Sequence, residues 1–319
     1  MTATNHSANQ GRMAAQGVPA QQMPTTAPAA PVQGAPVPAQ QGQVLQAPHG
    51  QVPAQQRAPR RRVQAKQTFF SVFRSEWSKL ASLRSTWITA AIASLITIGF
   101  SVALMAQYSG MKGYADKAAN YLTVGSSFGQ IAVAVLGALL ITGEYSSGQI
   151  RSSLAAVPRR GRLFAAKALV VAIFSALLGL VTVALTYLLS LPILGDKAGS
   201  LSNPEYLGFF WGTAMAFAII GLMAMSFGYI LRSTAGSISL VVVLLFVILI
   251  PLGLAASKWE WVHYITDVLP SSSAAAVADP YQLLETTTKL DYDLVIACGY
   301  AWAIIPMIIA FFVFSKRDA

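Results

Sequence analysis

Six long apolar stretches constrain this chain more than any other feature of its sequence. They lie near residues 86–106, 123–142, 164–191, 207–231, 236–256 and 294–314. A helix needs about 20 apolar residues to cross a hydrocarbon core roughly 30 Å thick, and each stretch is that long. Hydrophobic residues make up 55% of the chain and charged residues only 11%, which is more apolar surface than one soluble core can hide. We therefore predict an all-α membrane protein with six transmembrane helices, called spans 1 to 6.

The placement of the basic residues predicts how the spans are oriented. Of the 22 lysines and arginines, 17 precede span 1, lie in segment 143–167 or in the turn after span 4, or follow span 6. Because basic residues accumulate on the cytoplasmic side of membrane proteins, we expect both termini and segment 143–167 to be cytoplasmic. The remaining five lie in the loops on the other side.

The N-terminal part of the chain has a different composition from the rest. Residues 1–66 are rich in Gln, Ala and Pro and end in a basic run. Such a segment cannot bury enough apolar surface to offset the entropy of ordering, so we predict a disordered cytoplasmic tail before a six-span domain at 67–319. The basic run lacks interleaved aromatic residues and stands beside the membrane. Anionic lipid therefore explains it better than nucleic acid does.

Residues 68–85, just before span 1, have the pattern of an amphipathic helix. Aromatic and aliphatic residues recur at i, i+4, i+8 and i+11, and polar residues cover the other faces. We predict that this helix lies flat in the cytoplasmic membrane interface; the alternative is a simple extension of span 1 into water. The residues that we assign to it are Phe69, Phe73, Trp77, Lys79, Leu80 and Arg84.

The spans themselves are almost free of charge. Only Lys167 falls inside one, near its cytoplasmic end, where its long side chain is expected to reach back to the interface. A proton- or ion-coupled carrier usually keeps an ionisable residue at membrane depth, so this pattern argues against that class and against an intramembrane enzyme. Two G-x-x-x-G patterns mark sites of close helix packing at Gly125, Gly129, Gly208 and Gly212.

The loop between spans 5 and 6 is the longest one outside. Its prolines divide it, and its Trp and Tyr residues suit the membrane interface, so we predict short extracellular helices there. His263 has Glu260 and Asp267 at spacings that suit a metal ion, but no other feature supports such a site. We therefore predict no metal.

Segment 143–167 predicts a short cytoplasmic helix between spans 2 and 3. A serine at position 146 or 147 suits the N-cap, and Pro158 ends the helix. Ile150, Leu154 and Val157 form a small apolar ridge on one face. The ridge suits a groove on another protein or, alternatively, this protein's own interfacial helix. The basic residues that we expect to reach lipid head groups are Arg159, Arg160 and Arg162.

Two motifs resemble a known family. "SEWSKLASLRSTW" follows the pattern E-W-x-K-L-x-S-L-R-S-T-W, and "GEYSSGQIRSSLAAVPRRGR" follows E-Y-x-x-G-x-I-R and then P-x-R. Both are similar to motifs in the permease subunits of type-2 ATP-binding-cassette (ABC) transporters, particularly those of actinobacteria. The resemblance covers roughly residues 69–319, and it implies six spans in a bacterial cell membrane with both ends inside.

The resemblance also implies a mechanism and partners. The short helix would be a coupling helix that seats in a cleft of a separate ABC ATPase subunit. Two permeases, expected to form a homodimer in the lipid bilayer, would work together as an exporter. The chain lacks G-x-x-x-x-G-K-[ST], so it is not expected to be an enzyme, to have catalytic residues or to hold a cofactor; the partner would bind ATP. The alternative is a membrane scaffold or sensor. The residues implied to contact the ATPase are Glu144, Tyr145, Ser146, Gly148, Ile150, Arg151, Leu154, Val157, Pro158, Arg159 and Arg160.

Overall fold

The computed structural model describes residues 68–316, and the regular secondary structure of this part of the chain is helical, without strands. The tail predicted at 1–66 lies outside the described residues. Six helical stretches are long and apolar enough to cross a membrane, which confirms the predicted fold class. Their bounds extend the predicted spans by a few residues at most ends. The spans are α2 (Arg84–Ser109), α3 (Ser126–Ser146), α5 (Arg160–Leu194), α6 (Pro204–Leu231), span 5 (Thr234–Ala256) and α11 (Tyr292–Lys316).

Span 5 is not one continuous α-helix. It consists of α7 (Thr234–Val242), a π-helical turn (Val243–Val247) and α8 (Leu249–Ala256). The turn is closed by a backbone hydrogen bond from the Ile248 amide to the Val243 carbonyl, at 3.0 Å. The shorter elements are α1 (Phe69–Ser82), α4 (Gln149–Ala156), α9 (Val262–Val268), α10 (Pro270–Ala278) and the 3₁₀ turns Ala115–Thr123 and Gly195–Lys197.

The chain crosses the bundle six times, so that its connections gather at two ends. We call the end with α1, α4 and the turn between α6 and α7 the α4 end, and the opposite end, with α9 and α10, the α10 end. Helix α6 is central, because it packs against α3, α5, α10 and α11. Span 5 is the least buried of the six spans. The two helices α9 and α10 are the short helices predicted between spans 5 and 6.

Helix α1 is separate from α2, as an amphipathic helix before span 1 requires. The Thr68 side chain caps the start of α1. Leu83 has an extended backbone (ψ 121°) and interrupts the helix between α1 and α2. Arg84 was therefore wrongly placed: it is the first residue of α2. The buried face of α1 carries Val72, Glu76 and Leu80, whereas Phe69 is 42% exposed. The inward face is thus rotated from the predicted stripe and contains a glutamate.

The four glycines of the G-x-x-x-G patterns lie where α3 and α6 approach other elements. A Cβ atom at Gly125 or Gly129 would collide with α2, and one at Gly208 or Gly212 would collide with residues 277–281. A close approach between α3 and α6 was not predicted from the sequence. Gly137 of α3 lies so near Gly221 of α6 that a Cβ at position 137 would meet the Gly221 carbonyl.

His263, Glu260 and Asp267, whose spacing would suit a metal ion, do not form a metal site. Glu260 forms an ion pair with Lys289, and a carboxylate oxygen of Asp267 accepts hydrogen bonds from the Lys289 and Leu290 amides. Between residues 68 and 316, no group of three His, Cys, Asp or Glu side chains is placed to hold a metal ion.

Candidate functional site: the buried ion cluster at the α4 turn

The turn from α3 into α4 depends on a glycine. Helix α3 continues through Ser146, and Gly148 then takes a left-handed conformation (φ +70°) that sets the start of α4. The prediction of a serine N-cap was wrong. The hydroxyls of Ser146 and Ser147 both donate to the Gly143 carbonyl, and they therefore end α3 instead of starting α4.

The connection from α4 into α5 follows the proline as predicted. Val157, which precedes Pro158, leaves the helical conformation (φ −126°, ψ 86°), and α5 begins at Arg160. The Arg160 guanidinium donates to the carbonyls of Phe314 and Ser315, at 3.0 and 3.2 Å. Arg160 therefore caps the last turn of α11, which corrects the expectation that it extends to lipid head groups.

The apolar ridge of α4 packs inside the protein. Ile150 is 3% exposed and belongs to the same buried cluster as Val72 of α1 and Leu163 of α5, and Leu154 and Val157 pack against this cluster. Of the two alternatives for the ridge, the structure therefore shows the internal one. The remaining face of α4 is exposed and carries Gln149, Arg151, Ser152, Ala155 and Ala156.

Lys167 is the central residue of the site. It is fully buried, and its ammonium lies 2.5 Å from Glu76 Oε2 on α1 and 2.7 Å from Glu144 Oε1 on α3. The expectation that Lys167 reaches back to the membrane interface was wrong. Its side chain turns inward because two buried carboxylates, one from each neighbouring helix, stabilise the charge.

A second lysine completes the cluster. The Lys79 ammonium lies 2.7 Å from Glu76 Oε1 and 3.1 Å from Glu144 Oε1, and it donates to Ser153 Oγ of α4 at 3.2 Å. Burial disfavours its charged form, but the attraction of Glu76 and Glu144 outweighs burial and raises the pKa of Lys79 above 10.5. We call Glu76, Lys79, Glu144 and Lys167 the ion cluster.

The ion cluster is neutral as a whole and joins four helices: α1, α3, α5 and, through Ser153, α4. A buried pair of opposite charges adds little stability over apolar residues of the same size, but it costs much to break. It therefore fixes the relative positions of the helices. Glu144 Oε2 is buried and has no hydrogen-bond partner among residues 68–316. A cleft of about 330 Å³ lies beside the cluster, between the α1–α2 break and α3.

The α4 turn also contacts the link between α6 and span 5. The Arg232 guanidinium lies 5.0 Å from the centre of the Tyr145 ring, which packs edge-on against the buried Tyr229. Thr234 Oγ1 at the start of span 5 lies 2.7 Å from Thr142 Oγ1 of α3. The segment that leads into α4 is thus in contact with the end of α6 and the start of span 5.

The implied ATPase contacts divide into three groups in the structure. Glu144 belongs to the ion cluster, and the other residues turned into the protein are Tyr145, Ile150, Leu154, Val157 and the half-buried Arg160, which donates to the end of α11. The exposed residues of the set are Ser146, Gly148, Arg151, Pro158 and Arg159.

Sequence reasoning missed the ion cluster, although it had signals. Glu76 lies between Val72 (i−4) and Leu80 (i+4) on an otherwise apolar helix face, where a surface residue would not be expected. Lys167 stands in an apolar run close to Glu144 at the end of the previous span. An acid on a buried helix face and a lysine at the edge of a span together suggest a pair.

Comparison with known proteins agrees with this architecture. A family model described as ABC-2 family transporter protein matches residues 72–250, more than half of the chain, including all four residues of the ion cluster. No curated protein matches the sequence. ABC-2 permeases are not themselves enzymes and imply an ABC ATPase partner. The chain therefore belongs to the ABC-2 family of transporter proteins and is a multi-pass membrane permease of an ABC transporter.

Proposed function

We propose that this permease is an exporter subunit whose α4 receives the movement of a separate ABC ATPase. In this proposal the α4 end is cytoplasmic, which the excess of basic residues at that end supports. ATP is then hydrolysed beside α4, in the partner chain. Closing the α4 end first would drive cargo toward the α10 end, so the proposed direction is outward.

The ion cluster is the observation that carries the proposal. A short surface helix transmits force only if it is fixed to what it must move. Here Ile150 anchors α4 in the core, and Ser153 ties it to Lys79 and hence to Glu76, Glu144 and Lys167. A push on the exposed face of α4 therefore displaces α1, α3 and α5 together.

The contact surface for the ATPase follows from the same geometry. Because Ile150 faces inward, the partner would meet the opposite face of α4, where Arg151 and Ser152 are exposed. Two permeases are proposed to work together. The weak burial of span 5 supports this, since its apolar surface is left for lipid or a second copy to cover.

Co-purification tests this contact. The chain would be co-expressed with an ABC ATPase that the unmodified tagged permease retains on purification, and the amount of ATPase retained by each variant would be measured. Arg151→Glu should reduce retention about tenfold or more, because it reverses charge on the exposed face without touching the core. Lys112→Glu, the same reversal on an exposed residue at the α10 end, should leave retention unchanged.

Retention by Arg151→Glu equal to that of Lys112→Glu would contradict the proposed contact, provided that both variants elute as folded protein in gel filtration. Ser152→Arg extends the test, since it places bulk on the same face. If neither variant reduces retention, the ATPase does not dock on α4.

A further inference from the structure

A second cavity lies at the α10 end, away from the ion cluster. It has a volume of about 440 Å³, within the range of small-molecule sites, and we call it the α10 chamber. Its walls are the start of α3, the π-helical part of span 5, α9, α10 and segment 284–288. Seven of its lining residues are serines or threonines, so its surface offers many hydroxyl groups.

One wall of the chamber holds a buried donor without a partner. Gln130 on α3 is 1% exposed, and its Nε2 atom makes no hydrogen bond within the described part of the chain. Ser271 Oγ on α10 is likewise buried and unpaired. Leaving a buried polar group unsatisfied costs about 1–3 kcal/mol, which a ligand with suitable acceptor atoms would recover.

The charge of the chamber limits what can bind. Asp267 and Asp279 both line it, and none of the residues that line it is Lys or Arg. Each carboxylate also accepts two backbone amides from segment 283–290, so the acids are held in place by the wall that they support. His263 also lines the chamber, but the two carboxylates would repel an anion, whereas they would not repel a neutral or positively charged group.

Another wall is the irregular part of span 5. Leu245 and Phe246 of the π-helical turn and Leu249 just after it line the chamber, and Phe246 stacks near Phe128 of α3. A π-helical turn inside an α-helix is rare and is often found at functional sites. The chamber therefore has an apolar wall as well as polar ones, as a ligand with a polar end and an apolar body requires.

We propose that the α10 chamber binds the polar end of the cargo, as a neutral or cationic group rich in oxygen acceptors and about the size of a monosaccharide. Gln130 Nε2 and the serine and threonine hydroxyls bind its oxygens, and the two aspartates exclude anions. That the ligand is cargo rests on the proposed function; that the chamber binds such a group does not.

Protection of a cysteine from labelling tests the chamber directly. The chain has one cysteine, Cys298, so Cys298→Ala provides a background into which Ser272→Cys is introduced as the reporter. The purified protein in nanodiscs is labelled with N-ethylmaleimide, a small neutral reagent. Labelling is measured with glucosamine, glucose or glucuronate, three sugars of similar size that are cationic, neutral and anionic, at up to 100 mM.

The expected result is that glucosamine slows labelling at least threefold, glucose slows it less, and glucuronate has no effect. Gln130→Leu should abolish protection, while labelling of Ser200→Cys, on an exposed loop at the same end, should not respond to any sugar. Ser127→Cys, on the α3 wall, serves as a second reporter if Ser272→Cys is poorly folded. Equal protection by glucuronate, protection that survives Gln130→Leu, or no protection by any sugar would overturn the proposal.

Failure here is distinguishable from failure of the proposed function. Labelling needs no ATPase, and the pull-down with Arg151→Glu involves no chamber residue.

Discussion

Replacing Lys167 with methionine should destabilise the protein strongly, since Lys167 is the fully buried cation of the ion cluster. Methionine has nearly the same length and fits the same space, so the substitution removes the charge and leaves the packing. Glu76 and Glu144 would then share only Lys79, whose side chain is 42% exposed. Lys79 contacts both carboxylates already, and it would not replace the two short contacts that are lost.

The magnitude follows from the distances. Two unit charges about 2.6 Å apart attract by roughly 6 kcal/mol at an effective dielectric constant near 20, and Lys167 makes two such contacts. Most of this attraction offsets the cost of taking the ions out of water. Removing one partner of a buried pair typically costs about 3–5 kcal/mol, and we expect Lys167→Met to fall in that range. At about 2–4 °C per kcal/mol, the melting temperature should drop by about 6–20 °C.

Thermal unfolding in detergent, followed by tryptophan fluorescence, measures the effect. Lys258→Met, at an exposed lysine of the α10 end, is the matched control and should change stability by less than about 0.5 kcal/mol. A cycle with Glu76→Gln isolates the pair: the double variant should be more stable than the sum of the single effects predicts, by about 1–3 kcal/mol.

Two results would refute this reasoning. If Lys167→Met melts within 2 °C of Lys258→Met, the buried charge is not held by the carboxylates. If the effects of Lys167→Met and Glu76→Gln simply add, then the 2.5 Å contact contributes nothing specific.

Two further predictions concern Lys79 and the central glycine contact. Lys79→Met should cost about 1 kcal/mol at pH 7, a small effect because solvent screens the half-exposed ammonium. Since the pKa of Lys79 in the folded protein is raised above 10.5, its contribution to stability is complete below pH 10.5 and is lost as the pH rises through that folded pKa. The melting temperatures of the unmodified protein and of Lys79→Met should therefore become equal only above pH 10.5. Equal melting temperatures already at about pH 9 would contradict this. Gly137→Ala should cost about 1–3 kcal/mol in melting experiments by forcing α3 from Gly221, whereas Gly99→Ala, with open space around it, should be neutral or slightly stabilising; equal effects would argue against the close contact.

The spans were predictable because a long apolar run is typical of a transmembrane helix. Their number and approximate positions follow from length and hydropathy alone, and the break before span 1 follows from a change of pattern. The caps at the α4 turn were harder. Ser146 and Ser147 suit the start of a helix as well as the end of one, and only the left-handed backbone at Gly148 decides between them.

The pairing of the ion cluster across helices was not predictable from local spacing, because α1, α3 and α5 are far apart in sequence. Glu76 and Lys167 are separated by 91 residues, so the motif that contains Glu76 does not contain this partner. The amphipathic pattern of α1 was also misleading, since its aromatic residues outweigh Val72 and Leu80 and hide the face that packs. Only the contact of α1 with α5 shows that a glutamate lies on the inner side.

The contact of Gly137 with Gly221 has a consequence for where cargo can travel. Two backbones that touch leave no gap for a solute, and the side chains around this point, from Ala134 to Met223, fill the rest of the interior between α3 and α6. The space between α3 and α6 is therefore closed at this level. Under the proposed function, cargo would have to cross outside the α3–α6 contact, along a surface that this subunit borders.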